Sequence, residues 1–257
     1  MLKKRVIFAL LFEKNHFVLS RNFNLQRFGD FNWLSNNYNF KKITFSIDEL
    51  LIINVNRNNK NFDKFFTYLK KINRISFIPL CAGGGINTYD IAQETLNSGA
   101  DKIIVNSLIY NNPSLIDKIA KSYGAQSIIA SIDVKKKKNK YSVFIENGKK
   151  EIPYSLKEWL EFIQTLKIGE IYLNSIDKDG SGNGYDFDIL KCLPKKFNIP
   201  VIFAGGAGNY LHLLEGLKNK KIDAVSTANL INFIGDGLIN ARKKLLKNNI
   251  KLAIRND

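Results

Sequence analysis

Two cysteines among 257 residues, Cys81 and Cys192, are too few for a disulfide framework, and they lack the spacing of a metal site. Their scarcity fits a reducing cytoplasm, and neither a metal nor a cofactor is expected. No run approaches the roughly 20 uninterrupted apolar residues of a membrane span. The apolar stretch from Val6 to Phe12 follows a basic start, Met1 to Arg5, but it is brief and Glu13 and Lys14 close it. No small-residue cleavage site follows, so a secretory signal is not expected. Acidic residues are also scarce, 23 against 39 Lys and Arg, for a formal charge of +16. That excess raises the question of nucleic acid. The lysines are scattered, however, and the one dense run, Lys135 to Lys138 with Lys140, has no aromatic platform interleaved with it. It reads as a solvated hairpin tip before the alternating segment 141–144. Neither a nucleic acid nor a membrane is expected as partner. Attraction of anionic substrates or of an acidic partner is the milder use of the charge.

What is present is a 45% hydrophobic content, enough for a core and too much for disorder, and a sequence that says nearly the same thing twice. Ala82, Gly83, Gly84, Gly85 and Ile86 follow one apolar run; Ala204, Gly205, Gly206, Ala207 and Gly208 follow another. The offset of 121 that takes Gly84 to Gly205 also takes Glu49 to Glu170, Asn54 to Ser175 and Asn106 to Thr227. An offset one larger lays Val6–Leu11 over Ile128–Asp133, so one copy ends its strand in Asp133 and the other in Leu11. Strands are predicted at 5–10, 49–54, 77–81, 102–106, 127–133, 170–175, 200–204 and 223–227, short and rich in Ile and Val as in parallel sheets covered on both faces. Helical patterns separate them. One at 89–98 stops at Gly99; one at 113–123 starts at Pro113 with Asn112 as its cap and stops at Gly124; two more lie at 154–166 and 238–246. The predicted fold is α/β, a single (β/α)8 TIM barrel over 1–257 with a twofold repeat of half-barrels, about 1–125 and 126–257. An open doubly wound sheet is the alternative, but it does not require equivalent halves.

In such barrels the site lies at the C-terminal ends of the strands. Gly83, Gly84, Gly85, Gly205 and Gly206 stand there, each loop before a helix, where backbone N–H groups favour an oxyanion. Asn106, Ser107, Ala228 and Asn229 end the next strands and could complete two phosphate cradles; the plainer reading is tight turns. Asp133 could act as general acid or base, or be tied up in a cap or salt bridge. Asp177 is a second carboxylate candidate in the long polar loop that also holds Asp179 and Gly180; Asp179 could equally form a turn. At the opposite end, Arg5, Glu49, Lys102 and Glu170 each start a strand. Two cations and two anions converging there would be either a stabilising plug or a gate.

The ordered segments Gly83-Gly84-Gly85-Ile86, Gly99-Ala100-Asp101-Lys102, Asn112-Pro113-Ser114-Leu115-Ile116, Ser175-Ile176-Asp177-Lys178-Asp179-Gly180, Gly184-Tyr185-Asp186 and Gly205-Gly206-Ala207-Gly208 together resemble the cyclase subunit of imidazole-glycerol-phosphate synthase, over essentially the whole chain. The resemblance implies two phosphate sites, which would include Asp179 and Gly180, and a phosphorylated small-molecule substrate. It also implies a glutaminase subunit docked as a heterodimer beneath the barrel, sending ammonia up the pore. Arg5, Glu49, Lys102 and Glu170 match that family's gate, and Asp101 matches its contact with the glutaminase. The mouth departs from the pattern. Leu11 stands where the first of two catalytic aspartates belongs, Leu19 where a lysine belongs and Asn54 where an aspartate belongs. Leu10-Leu11-Phe12-Glu13-Lys14 and Gln26-Arg27-Phe28-Gly29-Asp30 are similar to a side branch found with surface-polysaccharide genes, which works with a glutaminase and a separate sugar amidotransferase. Three functions follow as expectations: ammonia relay to sugar amidation, true cyclisation in histidine biosynthesis, or a non-catalytic phosphate-binding activator of the glutaminase.

Overall fold

The computed structural model describes residues 3–38, 43, 45–56, 62–229, 233 and 235–253; Met1 and Leu2 of the basic start lie outside them. Its elements run β1 (Arg5–Glu13), β2 (His16–Arg21), β3 (Asn24–Gly29), α1 (Phe31–Asn37), β4 (Glu49–Asn54), α2 (Phe62–Ile75), β5 (Leu80–Gly83), α3 (Tyr89–Asn97), β6 (Lys102–Val105), α4 (Ser107–Asn111) and α5 (Pro113–Tyr123). There follow β7 (Ile128–Lys137), β8 (Lys140–Ile145), β9 (Lys150–Ser155), α6 (Leu156–Ile163), β10 (Glu170–Ser175), β11 (Val201–Ala204), α7 (Tyr210–Lys218), β12 (Ala224–Thr227) and α8 (Gly237–Lys247). Strands β1, β4, β5, β6, β7, β10, β11 and β12 pair in that order, all parallel, and β12 returns to β1. The sheet is a closed eight-stranded barrel with helices around it, the predicted TIM barrel.

Period-two alternation sorts each strand into two faces. On β1, Val6, Phe8, Leu10 and Phe12 join the large outer core under the helices, whereas Ile7 and Ala9 join a small separate cluster inside the bore. That inner cluster also takes Leu51, Cys81, Ile104, Ile129, Tyr172, Ile202, Ala204 and Ala224. Each inner strand therefore reads as a continuous apolar run, because both its faces are buried. At the base, Asp48, Asp101 and Asp223 share one device. Each stands just before an inner strand and accepts an N–H from the start of a neighbouring strand, from Val6 at 2.8 Å, Leu80 at 2.8 Å and Val201 at 2.9 Å. Asp48 is further paired with the buried Arg242 of α8, at 3.0 Å from each carboxylate oxygen.

Three local expectations need correction. The third inner strand is Leu80–Gly83, not 77–81: Pro79 has no N–H for the ladder and Phe77 is 79% exposed. The helix expected at 154–166 is Leu156–Ile163, started by a capping box between Ser155 and Glu158. Asn112 precedes α5, but its side chain accepts no capping N–H; its Oδ1 accepts from Ser114 Oγ at 2.7 Å. The stops at Gly99 (φ +104°) and Gly124 (φ +85°) are where the glycines predict them. The lysine run does form a hairpin: β7 and β8 pair antiparallel, with Lys138 and Asn139 at positive φ in the turn.

Candidate functional site

At the base, the four strand-starting charges close into a ring of alternating sign. Arg5 binds Glu49 through Nη1 and Glu170 through Nη2 at 2.7 Å. Lys102 Nζ lies 2.6 Å from Glu170 and 3.4 Å from Glu49. Each cation thus touches both anions. Burial opposes the charge on Arg5 and on Lys102, but Glu170 and Glu49 outweigh it and hold both bases above their ordinary values. Burial likewise opposes ionisation of Glu170, and the two cations outweigh it and lower its pKa. Directly above, the buried Cys81 thiol faces Glu49 Oε2 at 3.5 Å, and burial pushes its pKa well up.

At the other end of the bore lies a cavity of about 960 Å³, near the upper end of small-molecule sites. Asp133 lines it and is 8% exposed. Its Oδ1 accepts from Asn174 at 3.1 Å and its Oδ2 from Asn106 at 3.2 Å. Burial raises its pKa to about 7; the Asn174 hydrogen bond opposes the rise and the charge of Asp179 adds to it. A carboxyl poised there can give or take a proton near neutral pH. Asn106 is spent on this duty, not turned towards a phosphate. It also donates to Ser131 O at 3.1 Å.

Both glycine loops open into the same cavity: Gly84 and Gly85 after β5, Gly205 and Gly206 after β11. All four have positive φ. Gly84 rests on the backbone of Asn54, where a Cβ would lie 2.2 Å from Asn54 O; Gly205 rests on Ser175, with 2.6 Å to Ser175 O. The offset of 121 read from the sequence thus recurs in the contacts. Among the described residues none of these four N–H groups has a protein acceptor, the condition for an oxyanion to bind them. Gly83 is different. It lies in the β5 ladder between Ile53 and Ile104, outside the cavity lining. Its missing side chain relieves a clash, since a Cβ would meet Ile104 O at 2.1 Å. Ser107 Oγ accepts from Glu146 N at 3.1 Å, and Ala228 and Asn229 line the wall beside the second loop. Gly206→Ala would place its Cβ 2.1 Å from Gly184 O at φ +108°. We expect at least about 2 kcal/mol of destabilisation in urea unfolding, with weaker phosphate binding.

The β2–β3 hairpin, which the sequence does not announce, folds over the mouth. Its tip residues Asn22 and Phe23 both have positive φ. Asp179 holds that tip: its Oδ2 accepts from Ser20 Oγ at 2.5 Å and from Phe23 N at 3.0 Å. Gly180 lets the hairpin approach, since a Cβ there would lie 2.0 Å from Ser20 O. Asp179 and Gly180 are thus a docking point for the hairpin; a carboxylate would also repel a phosphate. Asp179 still lines the cavity, and burial raises its pKa against the Ser20 and Phe23 hydrogen bonds. Asp177 does not reach the cavity. Its carboxylate accepts Lys136 N at 2.7 Å on the outer side of β7. Asp101 is exposed at the base, with one oxygen committed to Leu80 N.

The histidine biosynthesis protein model matches residues 34–233. The chain belongs to that family. An imidazole glycerol phosphate synthase subunit of Parasynechococcus marenigrum, provisionally named hisF2, is 43% identical over 244 residues, 95% of this chain and 91% of that protein. The imidazole glycerol phosphate synthase subunit HisF of Chlorobium limicola is 41% identical over 186 residues, covering 72% and 74%. That of Pelodictyon phaeoclathratiforme is 38% identical over 207 residues, covering 80% and 82%. The three positions read from the sequence as departures from the resembled pattern lie on one side of the mouth of this histidine biosynthesis family member. Leu11 points inward from β1 and lines the cavity, with Leu19 of β2 and Asn54 of β4. Strands β1 and β7 are four places apart either way round the barrel, so Leu11 faces Asp133 from the opposite wall. Besides Asp133, the carboxylates lining the cavity among the described residues are Asp179 and Glu146. Asn174, which positions Asp133, was not singled out from the sequence; its inward register two residues after Tyr172 is the signal that would have found it.

Proposed function

We propose that this chain is the barrel subunit of a glutamine-dependent complex: it receives ammonia from a glutaminase partner and delivers it to sugar amidation, acetamido to acetamidino, in surface glycan synthesis. The observation that carries the reading is a complete charge ring at the base beneath a mouth in which Leu11 faces Asp133. Four alternating charges block the bore to ions while their side chains can swing aside for a small neutral molecule. Asp101, exposed beside the ring, would meet the glutaminase. Gly84 and Gly85, and Gly205 and Gly206 with Ala228 and Asn229, would hold the phosphates of a small-molecule ligand. A leucine exchanges no proton, so cyclisation by a pair of carboxyl groups lacks one member. A sugar amidotransferase would then be the consumer of the ammonia.

A second reading, true cyclisation to imidazole glycerol phosphate, is favoured by Asp179. It is a second carboxyl in the cavity with a raised pKa, and its charge reaches Asp133. Leu11→Asp separates the two. If the missing acid is the defect, the variant gains cyclase turnover of the imidazole-glycerol-phosphate precursor with ammonium salt by about 10²-fold or more over the parent chain. A parent chain that already turns over, with no gain in the variant, would refute the relay reading.

A further inference from the structure

The bore between ring and mouth is not uniformly apolar. Immediately above the ring, Ile7, Leu51, Ile129, Ile202 and Ala224 form a belt without hydrogen-bonding side chains apart from Cys81. Above that belt, Tyr172 projects inward from β10, and its hydroxyl donates to Ser226 Oγ of β12 at 3.2 Å. Tyr172 is 6% exposed and Ser226 1%. Both line the floor of the mouth cavity, with Ser131 beside them. The Ser226 backbone is itself fixed, since Tyr185 donates its hydroxyl to Ser226 O at 3.0 Å. After the Tyr172 hydrogen bond, two groups remain side by side: a lone pair on the phenol oxygen and the Ser226 hydroxyl proton, which meets no acceptor among the described residues.

We infer that the Tyr172–Ser226 pair is a binding station for one small, neutral, hydrogen-bonding molecule, which is ammonia if the relay reading above holds. Ammonia has a lone pair to accept the Ser226 proton and N–H groups to donate to the phenol oxygen. Ammonium has no lone pair, and the apolar belt gives it no counter-charge, so burying it is costly. The station therefore accepts the neutral form. It also delivers it to the right place: Asn174, two residues beyond Tyr172 on the same inward face, is the donor that holds Asp133.

The test needs no partner and no product. The chain is labelled with ¹³Cζ-tyrosine, and the Tyr172 resonance is identified by its loss in Tyr172→Phe. Ammonium chloride is titrated against matched sodium chloride, at neutral pH where ammonium dominates and at alkaline pH where free ammonia does. Burial raises the Tyr172 pKa, so its phenol stays protonated throughout. The expected result is a saturable shift at alkaline pH, absent at neutral pH and absent with trimethylamine, which has no N–H when neutral. Ser226→Ala should weaken the half-saturation at least tenfold, and Ser226→Thr, which keeps the hydroxyl, should restore it. No saturable shift, an equal response to trimethylamine, or indifference to Ser226→Ala would overturn the station. Failure of the glutaminase reading would appear elsewhere, as product formation that ignores glutamine, and would leave this shift unchanged.

Discussion

Asp133→Asn is expected to reduce the proton-transfer turnover gained by Leu11→Asp by about 10²–10⁴-fold, the usual worth of a positioned general acid or base. The position supports an effect of this size. Asp133 is a carboxyl served from both flanking strands, with Asn106 at the end of β6 and Asn174 on β10 fixing its two oxygens. Because burial raises its pKa to about 7, the base form accumulates as pH rises through neutrality, and a base-catalysed rate should rise over the same interval. The stability effect has the opposite sign. A folded pKa of about 7 against 3.8 for the free group means that the native state holds a proton the unfolded chain has lost. Its contribution is fully present below the lower value and is withdrawn as pH rises through about 7, on the order of 4 kcal/mol over the window. Urea unfolding of parent and Asp133→Asn at pH values spanning that window should show the parent losing stability relative to the variant. Parallel pH dependences would mean that Asp133 is not the buried titrating group.

Glu170→Ala is expected to cost about 3–5 kcal/mol in unfolding free energy. The side chain is 11% exposed and serves both Arg5 and Lys102, so its removal leaves two partly buried cations with Glu49 alone. The loss reflects a broken set of charges and does not make the intact ring a large net stabiliser; an apolar plug of equal volume could serve stability as well. Glu170 titrates below its ordinary value, so its contribution is present above about 4.5 and is lost as pH falls through the lowered folded value. Arg5 and Lys102 titrate above theirs, so their contribution is lost only at strongly alkaline pH. The ring's own contribution is therefore flat across neutrality and falls in acid, beneath the separate loss from Asp133, and Glu170→Ala should remove that acid limb. On the relay reading the same variant also lets glutamine-derived ammonia escape, so glutamine supports less product while free ammonium supports as much as before.

The barrel was legible because the inner strands are short apolar runs, five of them opened or immediately preceded by a charge (Arg5, Glu49, Lys102, Glu170 and Asp223), and because two of them run into glycine loops. The ring was legible for the same reason: Arg5, Glu49, Lys102 and Glu170 all hold the first strand position, and a closed barrel brings such positions together. Asp133 could be placed by comparison with Leu11. What the sequence hid was local. Gly83 and Gly84 look alike on paper, but one sits in a ladder and the other after it, a difference of a single register step set by Pro79. Asp177 and Asp179 are two residues apart in one loop, and only the docking of the β2–β3 hairpin decides which reaches the cavity. That hairpin was missed because its turn uses Asn22 and Phe23 in place of the expected glycine, and its stability comes from Asp179, far away in the chain.

The central claim is that this barrel keeps the ammonia entrance and has given up cyclisation. The direct measurement is turnover of the imidazole-glycerol-phosphate precursor by the purified chain with saturating ammonium salt, so that no glutaminase is needed. The account predicts no turnover by a folded chain that still binds inorganic phosphate. Clear turnover would contradict it and would identify a cyclase whose second proton-transfer group lies elsewhere than position 11.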